Sequence, residues 1–251
     1  MAQPFKTKYS KGNKGVLLKP IWILCNARSG SSILCEYLNN LDIFPILEHE
    51  EIEKRNSHLL KTKGAFNEFI RLYNSFEDLI AAPPMYLKCL DKQYKELTKD
   101  YLNYDSSFVK QIWPDIKFIK LKRNNLLEQA ISLYCAKLTN KWHVYTNEEL
   151  NEYYKTPIEY DLSLARECMQ EIKDYDNWNW FVKEDYLEIT YENLITHPED
   201  VIQSILSFCN IKISKDTISK AIKITHDKKR IYKMTRPENL TRLFKSLDIK
   251  L

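Results

Sequence analysis

The residues best equipped for chemistry lie together in Ala27-Arg28-Ser29-Gly30-Ser31-Ser32. One guanidinium and three hydroxyls offer hydrogen-bond donors within this short stretch. The stretch falls where a polar turn meets a segment of helical periodicity. A helix that begins there presents unpaired N–H groups and a partial positive charge, and both favour an anion. Gly30 sharpens the reading, because the chain has only four glycines, at positions 12, 15, 30 and 64. Glycine reaches positive φ and lets a ligand approach the backbone closely. The same residues also fit a plain capped helix start, with Ser29 or Ser31 as the N-cap and no ligand. The G-x-x-x-x-G-K-[ST] loop of nucleoside-triphosphate enzymes is absent, with no first Gly and no Lys after the second.

The elements that must position these residues follow from the hydrophobic pattern. Ile21 to Cys25 is an apolar run of strand length, and Ile33, Leu34, Tyr37, Leu38 and Leu41 share one helix face. Met85 to Leu90 reads as a second strand with Lys88 in its middle, and residues 116–122 read as a third that delivers Arg123. A helix over 124–138 turns Leu126, Leu127, Ala130, Ile131 and Tyr134 to the core, with Asn125, Glu128 and Ser132 on the opposite face. Asn125 and Glu128 have capping-box spacing. Residues 186–190 make a fourth strand, followed by Tyr191-Glu192-Asn193-Leu194, and Pro198 opens a helix through Phe208. Helices are also expected over 62–80, 91–104 and 158–182, while 42–60 and 140–156 read as irregular. Residues 1–20 read as a flexible lead-in and 21–251 as one domain. Strands alternating with helices imply an α/β fold with a parallel sheet, whose functional loops lie at the carboxyl ends of the strands. Arg28 and Arg123 both fall at such ends.

Composition narrows the classes. Hydrophobic content of 44% and charged content of 29% suit a soluble globular chain of 251 residues. A net charge of +4 fits a local basic cleft and does not point to nucleic acid. No apolar run approaches the roughly 20 residues of a membrane span. The six cysteines are widely spaced with no zinc pattern, so buried free thiols in a cytoplasmic, reducing compartment are expected.

Three segments together resemble a sulfotransferase that uses 3′-phosphoadenosine 5′-phosphosulfate (PAPS), most closely the bacterial trehalose 2-sulfotransferase-like branch. The Arg28 to Ser32 loop is similar to the family's 5′-phosphosulfate loop, with Ser32 in place of the usual Thr. Leu121-Lys122-Arg123, with Ser132 nine residues on, is similar to the 3′-phosphate motif. Tyr191-Glu192-Asn193-Leu194 with Pro198 is similar to the Tyr-Glu-(Asp/Asn)-Leu segment near the nucleotide. The resemblance implies a P-loop-like three-layer α/β fold with a central, mostly parallel sheet. It also implies PAPS as co-substrate and a hydroxyl on a small carbohydrate or related metabolite as acceptor.

On that resemblance, Arg28, Ser29, Gly30, Ser31 and Ser32 grip the 5′-phosphosulfate, and Arg123 and Ser132 hold the 3′-phosphate. Tyr191 lines the adenine, and Arg230 closes over the phosphates from the basic tail. A general base is needed for the acceptor hydroxyl. The candidates are Glu48, His49 and Glu50 after Pro45. Ungapped alignment points to His49, and residue type points to Glu48 or Glu50, with Glu48 preferred. Lys88 would steady the bridging oxygen. A sulfuryl group carries less charge than a phosphoryl, so no metal is expected. Each residue also has a plainer reading. Arg123 fits a surface salt bridge, Ser132 a solvated helix position, Tyr191 a half-buried aromatic, Lys88 a strand-end pair, Arg230 an exposed helix end, and 48–50 a solvated acidic loop. Trp142 fits either core or acceptor cleft. A kinase or hydrolase on the same kind of sheet, or a non-catalytic nucleotide-binding relative, stands as the alternative. The acceptor and the oligomeric state, a homo-oligomer included, are left open.

Overall fold

In the computed structural model the described residues are 21–43, 86–90, 116–142, 147–155, 160–176, 186–227 and 238–247. Four strands are present among them: β1 (Ile21–Cys25), β2 (Tyr86–Leu90), β3 (Lys117–Lys122) and β4 (Tyr186–Thr190). They form one sheet in the order β2-β1-β3-β4, and every neighbouring pair is parallel. The register sets Cys25 beside Leu121 and Lys122 beside Thr190, so β1, β3 and β4 end close to one level.

The strand order explains where a ligand would bind. The chain leaves β1 for β2 on one side and later returns to place β3 on the other. The gap between the two outgoing connections opens at the carboxyl ends of β1 and β3, the usual crevice of a doubly wound sheet.

Parallel strands need cover on both faces, and β1 is buried at every residue. Ile21, Ile23 and Cys25 face a core shared with α1 (Ser31–Asn39), α6 (Pro198–Phe208) and α7 (Lys215–Asp227). Trp22 and Phe118, partners in register and both buried, meet edge to face with centroids 6.0 Å apart. A second core joins α2 (Leu126–Thr139), α4 (Leu162–Asp176) and α8 (Glu238–Lys245), with Tyr134 edge-on to Phe244 at 5.5 Å. The remaining helices are α3 (Asn147–Lys155) and the short α5 (Tyr191–Thr196).

Two expectations need correction. Residues 140–156 are not irregular throughout, because α3 forms there and buries Tyr153. Its Asn-Glu-Glu-Leu-Asn-Glu-Tyr-Tyr-Lys sequence is too polar to show an apolar stripe, although Tyr153 is buried. The long helix expected over 158–182 starts instead at Leu162. The Asp161 carboxylate sets that start by accepting from the N–H groups of Ser163 and Leu164 at 2.8 and 2.9 Å. Beyond α6, where the sequence reading assigns no element, the chain forms α7 and α8, which contribute to the two cores. The helices expected over 62–80 and 91–104, and the lead-in 1–20, lie outside the described residues.

Candidate active site

Three strand-to-helix junctions meet at the carboxyl edge of the sheet. The first runs from Asn26 to Ser32. Buried Asn26 shapes it: its Oδ1 accepts from Ala27 N at 2.7 Å, and its carbonyl accepts from Ser29 Oγ at 2.8 Å. Arg28 adopts φ +63° and Gly30 φ +92°. A left-handed arginine costs about 1 kcal/mol or more, a strain that concentrates at functional loops.

Gly30 itself is the N-cap of α1, and no side chain caps this helix. The expectation of Ser29 or Ser31 as N-cap is therefore corrected. Ser29 is fully buried, and its hydroxyl is turned inward to close the turn on Asn26. The first turn of α1 carries no acidic residue, in contrast to the first turns of α2, α5 and α6. No acidic residue of its own first turn therefore opposes the partial positive charge at the start of α1, where Ser31 and Ser32 begin the helix.

The second junction follows β3. Asn125 caps α2 by accepting from Glu128 N at 3.0 Å, as the spacing predicts. Arg123 is mostly buried, with its Nη2 3.9 Å from a Glu128 carboxylate oxygen. Ser132 is not on a solvated face, being only 4% exposed. The polar side of α2 is covered by the first junction: Arg28 Nε donates to Ser132 Oγ at 2.9 Å, and Gln129 Nε2 donates to the Ala27 carbonyl at 2.8 Å. Arg28 Nη1 also donates to the Trp142 carbonyl, while Trp142 itself is 41% exposed.

The third junction follows β4, where Thr190 caps α5 through Asn193 N. Tyr191 is the keystone of the three. A Cβ placed on Gly30 would lie 2.4 Å from Tyr191 Cδ2, so the ring rests on the glycine. The Arg123 guanidinium stands over the same ring, 4.6 Å from its centroid. Tyr191 is thus half-buried between the two arginine-bearing junctions and touches both. Glu192 adds a link that the sequence did not reveal. Its two carboxylate oxygens accept from Asn124 N at 3.0 Å and Asn125 N at 3.2 Å. Nothing local in the sequence marks this contact, because its partners are 67 and 68 residues apart.

Supports lie behind the site. Tyr37 on α1 bonds His226 on α7 at 2.9 Å, and burial holds its phenol above the ordinary range. Lys137 joins α2 to α4 by bonds to Glu171 at 2.7 Å and Glu167 at 2.9 Å. Burial opposes its charge, but those two carboxylates outweigh it and raise its pKa.

Of the predicted site residues, Arg28, Ser29, Gly30, Ser31, Ser32, Arg123, Ser132 and Tyr191 fall on these three junctions. Lys88 occupies the middle of β2, in register with Ile23. Glu48, His49, Glu50 and Arg230 lie outside the described residues. Among the described residues no group of three or more His, Cys, Asp or Glu could hold a metal ion, and no helix is long and apolar enough to cross a membrane.

The chain is similar in structure to three solved proteins of low identity. One is the sulfotransferase domain from the Synechococcus PCC 7002 olefin synthase (14% identity, 97% of this chain and 100% of that one, TM-score 0.42). Another is mouse sulfotransferase SULT7A1 complexed with PAP (16% identity, 92% and 76%, TM-score 0.44). The third is sulfotransferase STF9 from Mycobacterium avium (11% identity, 94% and 79%, TM-score 0.49). No curated protein matches the chain. The family model described as "Sulfotransferase family" matches residues 20–215, which takes in all three junctions, and the chain belongs to that family.

Proposed function

We propose that the protein transfers a sulfuryl group from PAPS to a hydroxyl of a small carbohydrate or related metabolite. The observation that carries this reading is that the Tyr191 ring lies against Gly30, in the Arg28 turn, on one side and under the Arg123 guanidinium on the other, while Arg28 reaches Ser132 on the helix that follows Arg123. Two separately placed cations suit a ligand with two separate anionic groups, as PAPS has at its 5′ and 3′ positions.

In the reaction the acceptor oxygen attacks sulfur and its proton passes to a base. The new S–O bond forms as the bond from sulfur to the bridging phosphate oxygen breaks. That oxygen keeps the electron pair, leaving 3′-phosphoadenosine 5′-phosphate (PAP). Charge therefore grows on the 5′-phosphate. The start of α1, which has no side-chain cap bond, and Arg28 would oppose it. Arg123 and Ser132 fix the other end of the nucleotide, so that binding energy orients the reacting bond. Glu48, His49 or Glu50 would supply the base, Lys88 would steady the bridging oxygen, and Arg230 would close over the phosphates. Five described cysteines are free and buried, which supports a reducing, cytoplasmic setting.

Transfer of radiolabelled sulfate from PAPS across a panel of sugars tests the reading. Arg28→Ala is expected to lower kcat by on the order of 10², as removal of a transition-state donor does. A wild-type chain that binds PAP but sulfates nothing would mark a non-catalytic relative. Replacing Glu48, His49 and Glu50 one at a time separates the candidates. The base is the position whose loss lowers kcat while PAP affinity stays.

A further inference from the structure

Glu192 faces the start of α2, and its position raises a question about which groups there are left for a phosphate. The N–H groups of Asn124 and Asn125 are the donors that an anion would ordinarily take at such a helix start. Both already point at the Glu192 carboxylate, at 3.0 and 3.2 Å. Asn125 Oδ1 takes Glu128 N as well. These three N–H groups are therefore engaged within the protein, so an incoming phosphate would meet the side chains beside them. Arg123 is the cation beside it, held over Tyr191, the residue next to Glu192 in the chain. One dipeptide thus supports Arg123 in two ways: the Tyr191 ring lies under its guanidinium, and the Glu192 carboxylate holds the backbone of the two residues that follow it.

We propose that Glu192 is a positioning residue for Arg123. By occupying the start of α2 it sets where the guanidinium stands, and so makes the site selective for nucleotides that bear a 3′-phosphate. This rests on the sulfotransferase reading above. A half-buried carboxylate at this spot is otherwise a poor choice beside a dianionic ligand, since it adds a negative charge to the pocket wall. Its two charge-assisted bonds to the turn give it a reason to be there.

Calorimetric binding of PAP and of adenosine 5′-phosphate to the full chain tests the proposal, because the two ligands differ only in the 3′-phosphate. Glu192→Ala is expected to weaken PAP about tenfold, the scale of a displaced anchor, and to leave adenosine 5′-phosphate within about twofold. Glu192→Gln, which keeps the shape and one acceptor, should fall between. In an Arg123→Ala background the Glu192→Ala change should cost PAP nothing further, because the positioned group is gone. Melting curves check that each variant is folded, and Glu192→Gln carries the test if Glu192→Ala is not. Equal weakening of both nucleotides, unchanged discrimination, or losses that add with Arg123→Ala would overturn the proposal. A wild-type chain that does not prefer PAP would instead overturn the nucleotide assignment on which it rests.

Discussion

Gly30 has no room for a side chain. A methyl group there would meet the Tyr191 ring at 2.4 Å, on a backbone with φ +92°. Gly30→Ala is therefore expected to destabilise the chain by about 1–3 kcal/mol, and thermal melting reads it directly. The ring must also move away from Arg123, so PAP affinity should fall with stability. Tyr191→Ala should relieve the clash, and the double variant should melt above Gly30→Ala alone. At this scale the sequence was informative about residue type and less so about contact. The rarity of glycine singled out Gly30, but the reason for it, a tyrosine from another strand end, is a tertiary fact. Ser29 and Ser132 illustrate the same limit. Residue type reads their hydroxyls as ligand donors, and the contacts it cannot show are that Ser29 donates within its own turn and that Ser132 accepts from Arg28, a bond that leaves the Ser132 O–H able to donate. Hydroxyl chemistry is the same in either role, and only geometry separates them.

The strands and the helices with apolar stripes were legible because burial imposes a period on the sequence. β1, β3, β4 and α6 lie where the pattern places them to within a residue. Elements bounded by caps or lacking such a stripe were not. α3 buries Tyr153 from an otherwise polar sequence, and α4 begins where Asp161 caps it. Asp161→Ala should then cost about 1 kcal/mol, with the loss seen as a lower melting temperature at unchanged nucleotide affinity. The candidate base at 48–50 was not resolved by the sequence either, since an acidic run has no period and carries no geometry.

The sheet's order, β2-β1-β3-β4, is a property of the whole molecule and cannot be read from any window of sequence. The alternation of strands and helices implied a parallel sheet, but only the order brings the Arg28 and Arg123 turns side by side. The interior also predicts a response to pH. Burial pushes the Cys168 and Cys209 thiols up from 9.0 to about 12. Between those values the folded chain keeps protons that the unfolded chain releases, so stability is full below pH 9 and declines as pH rises toward 12. Melting temperatures across that range check the sign. Below pH 8 the same thiols should resist alkylation until the chain is unfolded.

Hydrogen-bonded neighbours stand about 4.8 Å apart whatever lies between them along the chain. Because β1 and β3 are such neighbours, the gap between the Arg28 and Arg123 turns is set by the sheet and is indifferent to how many residues the intervening chain contains. Insertions and deletions between Ile43 and Ile116 leave that gap unchanged provided β2 still docks on β1. A change in the length of that stretch is therefore expected to leave the spacing of the two arginine-bearing turns as it is, because the ladder between β1 and β3 does not pass through it.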